Sequence, residues 1–223
     1  MILYHGSEKI IEQPIYGQGN LRNDYGRGFY CTENEELAKE WACSNNQNGF
    51  ANKYELDLKG LNVLHLNSEK YNLLNWLAVL TKNRTYWENS TISELAKKYL
   101  SENFMVDTSG CDVIIGYRAD DSYFSFAQDF VAGAISYRQL GEAMHLGKLG
   151  EQVVLMSSRA FERIKYISCS IAEAEIYYKK KKERDRIARK EYRNAKATEL
   201  SVDELLIVDI MREGMKQDDA RLR

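Results

Sequence analysis

The residues from Gly28 to Cys43 constrain this chain more than any other stretch, because they read as a strand turning directly into a helix. Gly26 and Gly28 supply turn freedom, and Phe29-Tyr30-Cys31 is aromatic and strand-favouring. Thr32 is expected as the helix N-cap, with Glu33, Glu35 and Glu36 bringing negative charge to the first turn. Tyr30 then ends the strand and Trp41 emerges late on the helix. Two rings so placed either sit in the core or face each other across a cleft wide enough for one flat heterocycle. These residues alone leave both readings open.

The start of the chain, Ile2-Leu3-Tyr4-His5-Gly6-Ser7, is an apolar strand running into His-Gly-Ser. Together the two stretches resemble the first two motifs of the ADP-ribosyltransferase superfamily, of the histidine–tyrosine–glutamate kind found in poly(ADP-ribose) polymerases. There a strand ending His-Gly-Ser/Thr precedes Gly-x-Gly-apolar-Tyr and a helix bearing a second aromatic, with the spacing of Tyr30 to Trp41. The chain more closely resembles an uncharacterised bacterial branch of that superfamily, often found in toxin–antitoxin-like gene pairs. Asp24-Tyr25-Gly26-Arg27-Gly28-Phe29-Tyr30 and Asp112-Val113-Ile114-Ile115-Gly116 through Ala119-Asp120-Asp121 carry that likeness.

The resemblance covers roughly residues 1–170. It implies an α+β, ADP-ribosyltransferase-like fold: a split, mainly antiparallel sheet around an NAD cleft, with residues 171–223 as a basic helical extension. It also implies NAD as substrate. His5 would hydrogen-bond the adenosine ribose, the Gly6 backbone would hold the nicotinamide carboxamide, and Ser7 would lie beside that contact. Tyr30 and Trp41 would stack on the nicotinamide ring. Ala38 stands where the polymerases often carry a serine, so one carboxamide hydrogen bond is expected to be missing.

Gly150-Glu151-Gln152-Val153-Val154-Leu155 resembles the third motif, which bears the catalytic glutamate. Aligned as in the polymerases the slot is Glu151; aligned as in the arginine-specific transferases it is Gln152. The bacterial branch favours glutamine, so Gln152 is expected in the slot, with Glu151 as neighbour or substitute. The choice matters chemically. A carboxylate accepts a ribose hydrogen bond and stabilises an oxocarbenium-like transition state; a glutamine amide accepts the bond but brings no full charge and no base.

The implied activity is mono-ADP-ribosylation of a macromolecular acceptor, protein or nucleic acid, by a toxin-like effector that a small antitoxin-like protein partners. Two alternatives stand beside it: a non-catalytic NAD or ADP-ribose binding module, and an RNA-binding effector working through the C-terminal helix. The net charge of −2 argues against global attraction to nucleic acid or membrane. Four cysteines, Cys31, Cys43, Cys111 and Cys169, lack metal-ligand spacing. No leader and no membrane-length apolar run is read, so a cytoplasmic protein without a membrane or metal role is expected.

Along the chain, a polar glycine-rich loop from Gly17 to Gly28 carries Arg22 and Arg27, either solvated or within reach of a pyrophosphate. A short helical turn is expected over Glu8–Gln13, strands over Asn52–Leu58, Asn62–Leu66 and Asp112–Gly116, and helices over Tyr71–Lys82, Ile92–Phe104, Tyr123–Ala132 and Ile135–Met144. Trp76 reads as a core anchor, His65 as a packed strand residue, and Asp120-Asp121 as a helix cap. A strand over Ile164–Ile167 precedes a long helix from Ile171 to Lys196. From Tyr178 to Ala197 that helix carries ten Lys/Arg against three Asp/Glu, a local +7 that leaves −9 for the rest. Tyr177, Tyr178 and Tyr192 interleave these charges. Their face meets an acidic body, an acidic partner or nucleic acid. A last amphipathic helix, Val202–Met215, needs its apolar face covered by the body or by a partner.

Overall fold

Strand-favouring and helix-periodic segments alternate along the chain, and the expected strands and longer helices form with shifted ends. A computed structural model describes the chain apart from residues 86–89, 120, 147–148, 199, 202 and 223 and the side chains of residues 121 and 122. The first part runs β1 (Ile2–Ser7), β2 (Phe29–Cys31), α1 (Glu35–Ala42), β3 (Gly49–Leu56), β4 (Val63–His65), α2 (Leu73–Asn83) and α3 (Thr91–Asn103). Then follow β5 (Val113–Tyr117), α4 (Asp121–Val131), α5 (Tyr137–Met144), β6 (Glu151–Leu155), α6 (Ser158–Glu162), β7 (Ile164–Ala172), α7 (Ala174–Lys196) and α8 (Ile207–Arg212).

The strands form two sheets, ordered β1-β3-β7 and β2-β6-β5-β4. Every pairing is antiparallel except β4 with β5. Tyr4 and Thr32 exchange backbone hydrogen bonds and so join the sheets where β2 ends. Between the sheets lies one core, with Leu3, Leu56, Val113, Val153 and Leu155 inside it. A larger core fills the space between the second sheet and the helices, built on Trp76, Leu77, Phe126, Phe130 and Val154. The chain is therefore α+β with a divided, mainly antiparallel sheet. Among the described residues no helix is long and apolar enough to cross a membrane.

Trp76 is the anchor its spacing predicts: it is fully buried, and its Nε1 donates to the Tyr117 carbonyl at 3.1 Å. Its helix, α2, starts at a capping box in which Asn72 and Asn75 satisfy each other's backbone N–H groups.

Several ends differ from the sequence expectation. Asn34, not Thr32, caps α1, because the Thr32 backbone is bridged to Tyr4 and its Oγ1 accepts from the Asn34 N–H. The turn expected over Glu8–Gln13 is irregular chain. Of the Asp120-Asp121 cap, residue 120 lies outside the described residues, as does the Asp121 side chain.

The C-terminal helix begins at Ala174 rather than Ile171, because Ile171 and Ala172 are still paired with Phe50 and Gly49 in the sheet. Three of its ten basic residues pair with the body. Lys180 pairs with Glu36, Arg184 with the buried Glu40, and Lys196 with Asp129. The Tyr177 hydroxyl donates to Glu36, and Tyr192 stacks on Phe126 while its hydroxyl donates to Asp129. These two tyrosines thus dock α7 on α1 and α4.

Of the helix expected over Val202–Met215, the described residues form Ile207–Arg212, a short 3-10 turn follows at Ala220–Leu222, and Val202 lies outside the described residues. Its apolar face is covered by the chain itself. Ile207, Ile210 and Met215 are buried in the larger core, with Leu205, Val208 and Met211 against it.

Candidate functional site

The antiparallel alternation of β1 decides which backbone groups it offers. Met1, Leu3, His5 and Ser7 face β3, whereas Tyr4 turns its N–H and C=O to Thr32 at 2.7 and 2.9 Å. Gly6, two residues on, directs its own N–H and C=O to the same edge, past the point where β2 leaves for α1. Helix α1 lies across this glycine. A Cβ on Gly6 would stand 2.1 Å from the Ala38 carbonyl oxygen and 2.8 Å from the Ala42 nitrogen. Only glycine lets the helix approach so closely, and the approach brings Ala38 and Ala42 to the end of β1.

His5 is tied to the second motif. Its Nδ1 lies 2.7 Å from the Tyr30 carbonyl, and its ring stacks on Phe29 with centroids 4.3 Å apart. A carbonyl only accepts, so Nδ1 carries the proton and the neutral ring presents Nε2 as an acceptor. Burial holds the imidazole below its ordinary value of 6.5, the Tyr30 carbonyl opposing this and the Arg118 charge reinforcing it. Above about pH 6.5 the ring is neutral in both folded and unfolded chains and contributes no pH dependence. As pH falls below that value, the unfolded chain takes up the proton first and stability declines. Denaturation midpoints at pH 7.5 and 5.5 should show this acid loss, and His5→Gln should show less of it.

Tyr30 is half-buried. Its hydroxyl donates to the Gly26 carbonyl at 2.7 Å and accepts from the Tyr25 N–H at 3.0 Å. Burial pushes its phenol well above the ordinary range. Trp41 and Tyr30 pack against the same core cluster, and the Arg118 guanidinium lies 3.2 Å from the centre of the Trp41 ring. A planar cation therefore already uses the face on which a flat ligand would stack. No local pattern announces this contact, because Arg118 sits in a loop 77 residues after Trp41.

The third motif divides between two faces of the second sheet. Tyr30 pairs with Val154, so the Tyr30 face carries Val154 and Gln152; Cys31, Val153 and Glu151 face the other way. Gln152 is 3% exposed, and its Nε2 donates to Asp24 Oδ2 at 2.8 Å and to the Tyr117 carbonyl at 3.1 Å. Glu151 is half-exposed and accepts from His65 Nε2 at 2.9 Å and Asn67 Nδ2 at 2.8 Å. His65, expected as a packed strand residue, is exposed and engaged with this carboxylate.

Asp24 organises this side of the site. It is buried, its Oδ1 accepts from Arg84, and its Oδ2 accepts from the Ala119 N–H and from Gln152. The glycine-rich loop is thereby clamped to the ends of α2, β5 and β6.

The remaining residues stand apart from this arrangement. The Ser7 hydroxyl accepts from the Lys9 N–H. Arg27 is exposed on the loop, and Arg22 lines a cavity with Arg84 and Arg189. Among the described residues no group of three or more His, Cys, Asp or Glu is arranged to hold a metal ion, and the four cysteines are free.

No curated protein and no solved structure matches the chain. Residues 1–166 match a protein family described as "Protein of unknown function (DUF3990)". That span takes in both sheets up to β7, and with it His5, Tyr30, Trp41, Arg118 and Gln152. The chain belongs to the DUF3990 family.

Proposed function

We propose that this chain binds NAD as a substrate and transfers its ADP-ribosyl group to a macromolecular acceptor, protein or nucleic acid, as a toxin-like effector on an ADP-ribosyltransferase-like fold. The observation that carries this reading is the hydrogen bond from His5 to the Tyr30 carbonyl. It joins the two motifs that resemble the superfamily, beside a strand edge offering the Gly6 N–H and C=O. A carboxamide presents the matching acceptor and donor to such a pair. Tyr30 and Trp41 would flank the nicotinamide ring, each contributing about 0.5–1.5 kcal/mol beyond area burial. The His5 Nε2 would accept from a ribose hydroxyl. Arg118 must leave the Trp41 face as the ring enters. In the reaction the bond from the ribose C1′ to the nicotinamide nitrogen breaks and its electron pair leaves with nicotinamide. The acceptor nucleophile then bonds to C1′ and gives up its proton. Any antitoxin-like partner would use surface other than the α8 face, which the chain covers itself.

A second reading has its own support: a non-catalytic NAD or ADP-ribose binding module. Gln152 brings no charge to the Tyr30 face, and both oxygens of the neighbouring Asp24 carboxylate already accept hydrogen bonds. An RNA-binding effector led by α7 has less support, since Lys180, Arg184 and Lys196 are ion-paired with the body.

Nicotinamide release from NAD separates transferase from module. Trp41→Ala should weaken NAD binding by roughly 30-fold or more, the scale of losing a central aromatic anchor. Trp76→Ala should instead lower stability by about 3–5 kcal/mol, as deletion of a buried indole does. A folded Trp41→Ala protein that binds NAD as tightly as the parent would remove the aromatic slot from the proposal.

A further inference from the structure

Arg22 of the glycine-rich loop, Arg84 at the end of α2 and Arg189 of α7 converge on a cavity of about 520 Å³, whose walls include Thr85, Ser125 and Gln128. Three arginines lining one cavity concentrate positive charge in a chain whose net charge is −2. Arg84 is held rigidly: it pairs with Asp24, donates to the Ala119 carbonyl at 2.8 Å and lies over the Phe124 ring. Arg189 pairs with Asp185 at 2.9 Å. Asp24 and Asp185 thus balance two of the three positive charges, while Arg22 makes no ion pair among the described residues. Gln128 also lines the cavity.

We propose that this cavity binds the phosphate of a phosphate ester of about nucleotide size. Guanidinium forks match phosphate oxygens in pairs, and the hydroxyl of Thr85 suits a further one. The volume lies in the range of small-ligand pockets. The cavity is also separate from the Tyr30–Trp41 slot. Arg84 holds one oxygen of Asp24 and Gln152 the other, so the buried carboxylate stands between them. None of His5, Gly6, Tyr30 and Trp41 lines the cavity. Such a phosphate belongs either to a free nucleotide or to the 5′ end of a nucleic-acid strand.

Calorimetric titration of the full chain tests this, with uridine, uridine 5′-monophosphate and a 5′-phosphorylated uridine tetramer as probes. Pyrimidine probes are chosen because an adenine nucleotide is also a ligand for the proposed NAD slot. The monophosphate should bind and uridine should not. Arg22→Ala and Arg189→Ala should each weaken binding by roughly tenfold, the scale of one lost charge-assisted hydrogen bond. Both side chains are exposed, so both variants should fold. Arg186→Ala, whose side chain pairs with Glu183, should bind like the parent. If the tetramer binds at least as tightly as the monophosphate, the phosphate is that of a strand end; if the monophosphate alone binds, it is that of a free nucleotide. Equal binding of uridine and its monophosphate would overturn the proposal, as would full affinity in both Arg22→Ala and Arg189→Ala.

Discussion

Asp24→Ala should cost about 3–5 kcal/mol of stability, the scale of breaking a buried ion pair by removing one partner. The carboxylate is 4% exposed and accepts from the Arg84 guanidinium, the Ala119 N–H and the Gln152 amide. Deleting it leaves a partly buried guanidinium and two donors without their acceptor, each with its desolvation penalty. Asp24→Asn should recover little, since one amide oxygen cannot serve donors on both sides. Urea denaturation of both variants measures the loss. The double variant Asp24→Ala, Arg84→Ala should be less destabilised than the sum of the singles, because the stranded cation is removed as well. A loss below about 1 kcal/mol in Asp24→Ala would mean that Arg84 and the loop find other partners. The site should suffer with the fold. The Tyr30 hydroxyl is fastened to Tyr25 and Gly26, immediately after Asp24, so a loosened loop frees the ring.

The contrast between Asp24 and Trp76 shows what a sequence of this kind discloses. Trp76 sits among Leu73, Leu74, Leu77 and Leu80 at helical spacing, so its burial follows from periodicity. The strand-to-helix turn at Phe29–Ala42 was legible for the same reason, from local propensity and from glycines. Asp24 was visible only as one letter of a motif. Its partners Arg84, Ala119 and Gln152 lie 60, 95 and 128 residues away, and nothing local announces them. Arg118 on Trp41 and His65 on Glu151 escaped the reading in the same manner. The cap of α1 was misassigned because Thr32 has the right side chain, but its backbone is held by Tyr4, a tertiary contact that overrides local preference. The start of α7 moved for a related reason, since Ile171 is helix-compatible until β3 pairs with it.

Gln152→Ala should abolish nicotinamide release, whereas Glu151→Ala should leave a measurable remnant. Strand alternation favours this order, because Gln152 shares the Tyr30 face and Glu151 lies on the other with His65. Gln152 also donates to Asp24 and to the Tyr117 carbonyl, so its loss lowers stability and must be separated from any effect on turnover. Gln152→Glu makes that separation. A glutamate beside the Asp24 carboxylate cannot both ionise and donate a hydrogen bond, so the pair should retain a proton near neutral pH. The folded pKa of the new carboxyl is then raised above its unfolded value of about 4.3. Its stability contribution is present below that value and is lost as pH rises through the folded pKa. If the side chain serves only as a clamp, Gln152→Glu should be destabilised at pH 7.5, regain stability toward pH 5, and release no more nicotinamide than the parent. If the slot lacks only a charge, the same variant should release nicotinamide faster as pH rises through the folded pKa and the carboxylate ionises. A variant that binds NAD without release at any pH, as the parent also would, leaves the binding module as the function of this face. Loss of release in Glu151→Ala with full release in Gln152→Ala would instead move the chemistry to the His65 side of the sheet.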